Sequence, residues 1–385
     1  MADQRVMVSG AGLAGLVAAQ ALRHAGLQTR VFEQVPEMGP VGAIIGLTHR
    51  AASALEGMGR ADLVESACIP VQGIEYFNWK GNALTRMPIA EVAKQENTRT
   101  FVAMRADIQL GLYDQLKDVV QTGSEVTGFE DGADGVTVKL ADGREERGAA
   151  LLGADGIHSP VRAGLRGDEP RYTGYMAWRG VATLDPVPLP PGEANQFLGR
   201  GRTAGAFGLS GGRMYWFVTS LMPPHGEDSP AGRKADALER FSGGPDFIRK
   251  AIDATPEEAI LRNDVFDRPA VDSWGKGRVT ILGDSAHATS PATGEGGTHA
   301  ALDAAGAAAA LAKVADRLDD ASAVDGALRE YEAEAIRRTS AGVQRAAEMG
   351  DRLHADKPVP AFMRDMVFRL TPERTWRKRA AFYLK

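Results

Sequence analysis

Six residues near the start of the chain, Gly10-Ala11-Gly12-Leu13-Ala14-Gly15, have the types and spacing to receive a pyrophosphate. Gly10 permits a tight turn, Gly12 lets the backbone approach the phosphates, and Gly15 lets a helix pack closely on a strand. The N–H groups that open the following helix add the positive end of its dipole. Glu33 lies 23 positions after Gly10 (33 − 10), where an acid accepts hydrogen bonds from adenosine ribose hydroxyls and repels a 2′-phosphate. Two distant stretches carry the same kind of chemistry. Leu151 to Gly153 is apolar and leads into Asp155-Gly156; Val279 to Leu282 leads into Gly283-Asp284, followed by His287, Pro291, Gly294, Gly296 and Gly297. Taken singly, each of these reads equally well as a strand-end turn.

Such residues must be held by the right elements. Arg5 to Val8 reads as a strand, Leu16 to His24 as a helix, and Thr29 to Phe32 as a second strand with Glu33 at its end. Strand, glycine turn, helix, strand and acid make one dinucleotide-binding unit. A long Ala-rich helix containing Asp303 follows the third stretch.

Taken together and in this order, the three stretches resemble the class A flavoprotein monooxygenases, the FAD-dependent aromatic hydroxylases, over residues 3–345. The resemblance implies an α/β fold, with a Rossmann-like FAD-binding lobe and an inserted antiparallel-sheet substrate lobe. It implies that Gly10, Gly12, Ala14, Gly15 and Glu33 bind the ADP half of FAD. Asp155 and Gly156 match a motif at the pyrophosphate that is also implicated in NAD(P)H use. Gly283 and Asp284 match the motif that holds the ribityl or pyrophosphate part. Pro291, Gly294, Gly296 and Gly297 match the loop and helix start beneath the isoalloxazine, and Arg105 matches an arginine opening a helix near the flavin. The implied reaction is NADH- or NADPH-driven insertion of one oxygen atom from O2 into an aromatic, heteroaromatic or other electron-rich small molecule, through a flavin C4a-hydroperoxide. The chain departs from the pattern at Glu295, where Gln is usual, at His299 and Leu302, and at Ile44 and His49-Arg50, where a second Gly and Pro-Asn are usual.

Beyond the cofactor, His49, Arg50 and Tyr215 are the candidates for a direct part in the chemistry, with a solvated loop as the alternative for the first two. His287 reads as a structural hydrogen-bonding residue. Glu295 reads as a helix-start carboxylate and His299 as a surface histidine, with flavin or substrate contact as the alternative. Tyr175, Trp178, Arg179, Tyr215, Trp216 and Phe217 lie on expected strands, where alternation turns only some of them toward a pocket. The seven histidines are scattered without metal-ligand spacing, so no metal is expected. Other flavin chemistries of the same fold (oxidase, dehydrogenase, reductase) stay open, as does a nucleotide-binding protein without catalysis.

The chain has 385 residues and a net charge of −5, from 45 basic and 50 acidic side chains. That is enough for two lobes and gives no reason to expect nucleic acid. One cysteine, Cys68, excludes an internal disulfide. The polar residues 1–4 followed at once by a strand suggest no signal peptide and a cytoplasmic protein, and no segment is apolar enough to suggest a membrane partner. The expected FAD-binding lobe comprises 1–70, 101–170 and 266–350. The expected substrate lobe comprises 71–100 and 171–265, and a basic, partly helical tail covers 351–385. Oligomeric state is not legible.

Overall fold

The computed structural model describes residues 4–40, 42–224, 228–229 and 231–384. Its first lobe is built on five parallel strands in the order Val279–Ile281, Ala150–Gly153, Val6–Ser9, Thr29–Phe32, Val120–Gln121. Val6, Val8, Leu151, Leu152, Val279 and Ile281 are fully buried, as continuous apolar runs in a sheet covered on both faces must be. Helix Leu13–His24 lies against this sheet and against helix Gly296–Ala312. The approach is close because the facing positions are small. Gly283 could not carry a Cβ without meeting the Ala14 methyl at 2.9 Å.

The second lobe is a seven-stranded sheet, ordered Leu261–Asp267, Arg171–Thr183, Arg213–Leu221, Arg202–Gly208, Glu193–Leu198, Gly73–Asn78, Ala83–Met87. All its pairings are antiparallel except Glu193–Leu198 with Gly73–Asn78. Gly73–Asn78 and Ala83–Met87 form an antiparallel hairpin, and the stretch from 171 is rich in strands. Strand Leu261–Asp267 carries this sheet one residue past Phe266. Alternation gives the sheet two faces. Met176, Trp178, Met214, Trp216, Val218, Ala204 and Ala206 pack under helices Arg233–Phe241 and Asp246–Ala254. Tyr175, Arg179, Tyr215, Phe217, Thr219 and Phe207 stand on the opposite face.

That second face looks toward the first lobe. The Tyr175 hydroxyl shares a hydrogen bond with the Ser290 hydroxyl at 2.7 Å, and Thr219 pairs with His354 at 2.8 Å. His354 caps the 33-residue helix Ala321–Leu353 and stacks on Tyr175 at 4.0 Å between ring centres. A separate three-strand antiparallel meander is formed by Val126–Gly132, Gly135–Leu140 and Glu145–Gly148. The tail forms helices Pro358–Leu370 and Glu373–Leu384.

One buried cation sets the end of the nucleotide-side sheet. Arg162, fully buried, donates to both Asp168 oxygens at 2.7 and 2.6 Å and to the Ser285 and Ala286 carbonyls at 2.9 and 2.7 Å. It thereby ties helix Pro160–Leu165 to the turn after strand Val279–Ile281. Arg162→Met leaves two buried carbonyls without donors. We expect it to lower stability by about 3 kcal/mol, read from urea unfolding followed by far-UV circular dichroism.

Candidate functional site

The three motif turns meet because their strands are parallel neighbours that end at one edge of the sheet. Gly10 has φ of +95° and its N–H donates to the Phe32 carbonyl at 2.7 Å. A Cβ on Gly10 would lie 2.5 Å from the Ala154 carbonyl oxygen, and one on Gly15 would lie 1.9 Å from the Gly10 oxygen. Both positions therefore exclude any side chain. Gly12 differs: a Cβ there would meet nothing nearer than the Arg105 guanidinium, at 3.7 Å. The space over Gly12 is thus an open cradle at a helix N-terminus, with a cation on its border. Arg105 opens helix Arg105–Leu116, and Gln109, one turn later, donates to the Ala11 carbonyl at 2.9 Å. Glu33 receives the Ala11 N–H at 2.6 Å and the Val35 N–H at 3.0 Å, which brings its carboxylate onto the glycine turn.

Asp155 occupies the centre of this edge. Its carboxylate accepts from the Ser9 hydroxyl at 3.1 Å, the Ser285 hydroxyl at 3.0 Å and the Val161 N–H at 3.3 Å. Burial raises its pKa, against the lowering effect of hydrogen bonds from Ser159, Val161 and Ser285. Ser285 in turn accepts the Gly156 N–H at 2.9 Å. Asp284, by contrast, is exposed at the start of helix Asp284–His287 and directs its charge to solvent. The sequence groups the two aspartates as equivalent motif acids. The structure gives one the work of holding three strand ends and leaves the other available to a ligand.

Behind Gly283-Asp284 lies a buried ionic cluster. Asp303, with no exposed surface, accepts the Gly283 N–H at 3.1 Å and an Arg338 N–H at 2.5 Å, and pairs with His287 Nε2. Burial alone would raise the Asp303 pKa, but the His287 and Arg338 charges outweigh it and hold the carboxyl below its usual range. Burial likewise opposes a charged His287, and Asp303 reverses this and raises its pKa. His299 corrects the expectation of a surface histidine. It is only 6% exposed, its ring stands 5.7 Å from that of His287, and burial lowers its pKa to about 4. The reason is helix packing: Gly342 on helix Ala321–Leu353 leaves the room that the His299 ring fills, since a Cβ there would come within 2.8 Å of Nε2.

The loop from Pro291 to Gly297 is fixed against strand Ile44–Thr48. Thr298 Oγ1 donates to the Gly46 carbonyl at 3.2 Å and accepts the Thr48 N–H at 3.0 Å. Gly46 and Gly294 approach so closely that a Cβ on Gly46 would meet the Gly294 oxygen at 2.6 Å. Gly294 has φ of +70°, and Gly296 begins the 17-residue helix that points its N-terminus out of this loop. Glu295 is largely buried, lies 3.6 Å from Arg345, and has its pKa raised by burial.

The catalytic candidates do not converge. Arg99 Nε lies 3.5 Å from His49 Nδ1 and forms a two-pronged pair with Glu56 at 2.9 and 2.7 Å. Arg50 is exposed and lines a cleft of about 230 Å³ with Leu302, Gly306 and Lys313. Their helix, His49–Gly57, packs mainly on helices Gly296–Ala312 and Ala61–Ala67 and on strand Ile44–Thr48, none of them in the sheet of Tyr215. Tyr215 is buried on the inward face, 6.3 Å from the Phe217 ring, and burial pushes its pKa to about 12. Arg179 on the same face donates to Asn263 at 2.6 Å. No group of three or more His, Cys, Asp or Glu that could hold a metal occurs among the described residues. Sequence reading missed the roles of Arg338, Ser285 and Ser290; nothing in their local context marks them.

These features fit an FAD: an open glycine cradle bordered by Arg105, an acid on the ribose side, a free Asp284, and a helix start beyond a tight glycine loop. Comparison with known proteins gives the same answer. The FAD binding domain family matches residues 3–346. Aurachin C monooxygenase/isomerase of Stigmatella aurantiaca is 35% identical over 350 residues, covering 90% of this chain and 89% of that protein. FAD-dependent urate hydroxylase of Klebsiella pneumoniae is 32% identical over 354 residues, covering 91% and 90%. The crystal structure of Klebsiella pneumoniae HpxO complexed with FAD and uric acid superposes with a TM-score of 0.89 at 29% identity, covering 99% of this chain and 96% of that one.

Two outcomes are expected. Gly15→Val abolishes flavin retention on gel filtration, because its side chain has no space beside Gly10. Asp303→Asn lowers stability by about 3 kcal/mol, since it leaves buried cations without their counter-charge. Asp303's folded pKa is depressed, so its contribution is lost as pH falls through that value. His287's folded pKa is raised, so its contribution is lost as pH rises through that value. The stability difference between the natural chain and Asp303→Asn is therefore largest between about pH 4 and pH 6.5, the unfolded values of the two groups. Urea titrations across pH check this.

Proposed function

The chain belongs to the class A flavoprotein monooxygenase family and is an FAD-dependent oxidoreductase, and from that premise we propose that it uses NADH or NADPH to place one oxygen atom from O2 on a small aromatic or heteroaromatic molecule. The observation that carries this reading is the inward face of the seven-stranded sheet. Tyr215, Phe217, Phe207 and Arg179 face the first lobe there, and Tyr175 and Ser290 join that face to the segment just before the glycine loop. One relative's name carries such a compound: urate, for the FAD-dependent hydroxylase of Klebsiella pneumoniae.

The residues divide the work as follows. The N–H groups of the Gly10–Gly15 turn and Arg105 would hold the pyrophosphate, Glu33 the adenosine ribose, and Asp284 the ribityl side. When bound, FAD supplies the redox chemistry, accepting two electrons from the nicotinamide and delivering an oxygen atom to the substrate. Helix Gly296–Ala312 directs the positive end of its dipole out of the Pro291–Gly297 loop and favours negative charge that develops there. Phe207 and Phe217 offer flat apolar surface to an aromatic ring. Tyr215, whose hydroxyl stays protonated well above neutral pH, offers one directional hydrogen bond. Arg179, held by Asn263, offers a positive charge to an acidic or enolic substituent. The sheet, backed on its other face by helices Arg233–Phe241 and Asp246–Ala254, walls that space on one side.

A first test is the visible spectrum of the purified chain, with NADH and NADPH oxidation followed against phenolic and N-heteroaromatic compounds under ¹⁸O2. The expected result is a bound-flavin spectrum, nicotinamide oxidation stimulated by one class of compound, and one labelled oxygen in its product. A flavin that neither nicotinamide reduces with any compound would move the reading to an oxidase or another non-oxygenating flavoenzyme. With the substrate in hand, Tyr215→Phe lowers kcat/KM about tenfold, the loss of one hydrogen bond in a dry site, while flavin content stays at the natural level.

A further inference from the structure

The C-terminal helix Pro358–Leu370 has two apolar faces where one would suffice. Its inner face carries Ala361, Arg364 and Phe368, all buried. Arg364 donates to the Gly199 and Leu353 carbonyls at 2.8 Å each, and Phe368 packs on Tyr76 and Trp376 at ring separations of 5.0 and 5.2 Å. These contacts fix the helix to the edge of the seven-stranded sheet. The opposite face carries Val359, Phe362, Met363, Val367 and Leu370, exposed by 70, 62, 54, 51 and 68%. Among the described residues the only other exposed large apolar side chains are Val35 and Leu221, at 39 and 37%. The spacing i, i+3, i+4, i+8, i+11 is a continuous helical stripe, so the exposure is a surface rather than scatter.

The charge around the stripe is equally uneven. Residues 357–385 hold eight basic side chains and two acidic ones, a net +6 in a chain whose total is −5, which leaves −11 for the rest. Lys357, Arg369, Arg374, Lys378 and Arg379 are exposed. The two acids are already engaged, Asp365 with Arg364 and Glu373 with Arg377. An apolar stripe with exposed cations at both ends of its helix, Lys357 and Arg369, and more on the helix that follows is complementary to an anionic lipid surface, where the side chains enter the acyl boundary and the cations meet headgroups.

We propose that helix Pro358–Leu370 lies in the plane of an anionic lipid surface and docks the enzyme there. The helix has 13 residues, about 20 Å, against the roughly 20 residues needed to span a bilayer. The docking is therefore interfacial, and no helix among the described residues is long and apolar enough to cross a membrane. A second copy of the chain fits the stripe less well. A rod about 20 Å long and about 10 Å wide offers a footprint near 200 Å², well short of the roughly 800 Å² per partner of a stable interface. A two-fold contact would also bring the same cations face to face.

The test is vesicle flotation of the full FAD-loaded chain with phosphatidylcholine alone and with phosphatidylglycerol mixed in. The expected result is flotation with the anionic vesicles that weakens with added salt. Phe362→Ser combined with Leu370→Ser lowers the bound fraction at least about tenfold. Arg369→Gln and Lys378→Gln lower it about fivefold each. Flavin absorbance of each variant, expected at the natural level, separates loss of docking from loss of fold. Absence of flotation on anionic vesicles, or flotation indifferent to the Phe362 and Leu370 changes, overturns the proposal. A concentration-dependent dimer in analytical ultracentrifugation that disappears in Phe362→Ser assigns the face to a second copy and overturns it too.

Discussion

Everything at the nucleotide side depends on the Asp155 carboxylate. It joins the ends of three adjacent parallel strands through Ser9, Ser285 and the backbone of Val161. Parallel strands in register deliver their turns to one edge, but register alone does not fix the turns against each other. A half-buried carboxylate with three donors does, because leaving any of them unmet costs free energy in a poorly hydrated place. The glycine turn, the Asp155-Gly156 turn and the Gly283-Asp284 turn can then act as one surface toward a ligand that contacts all of them.

A second ionic centre supports the first from behind. Asp303, His287 and Arg338 belong to three different helices, and the Gly283 N–H completes the set. A buried charge cluster of this kind is weak evidence for stability in itself and stronger evidence for geometry, since its members tolerate few alternative arrangements. Here it sets the angle at which helix Gly296–Ala312 leaves the glycine loop, and so the direction of the dipole that this loop receives.

The substrate side follows a different logic. A sheet with one face under helices and the other toward the first lobe needs no special residue to make a pocket wall; alternation does it. What must be specified is the seam, and two small contacts supply it, Tyr175 with Ser290 and Thr219 with His354. Tyr175 also stacks on His354, the residue that caps helix Ala321–Leu353, so the same long helix that carries Arg338 to Asp303 also helps to set the sheet over the loop.

The sequence by itself determined the local chemistry. Three glycine turns, two of them with an aspartate and each after an apolar run, were legible because their requirements are short-range: positive φ at Gly10, Gly156 and Gly283, room at Gly15, a helix start after each turn. The antiparallel sheet was expected from the family resemblance, and alternation along its strands implied that only some of their side chains could face a pocket. Tertiary structure alone decided which motif acid is spent on the scaffold and which is free. Asp155 and Asp284 look alike in sequence and part company only when Ser9 and Ser285 arrive from more than a hundred residues away. It also decided that His299 is buried, because the space it fills is made by the missing side chain of Gly342 on another helix. Likewise, the apolar residues of Pro358–Leu370 read locally as an ordinary helix; only the packing shows that a single face was needed for the core. The physical reason is common to all three. Backbone conformation is set by neighbours in sequence, whereas burial and the pairing of charges are set by whatever the fold brings alongside.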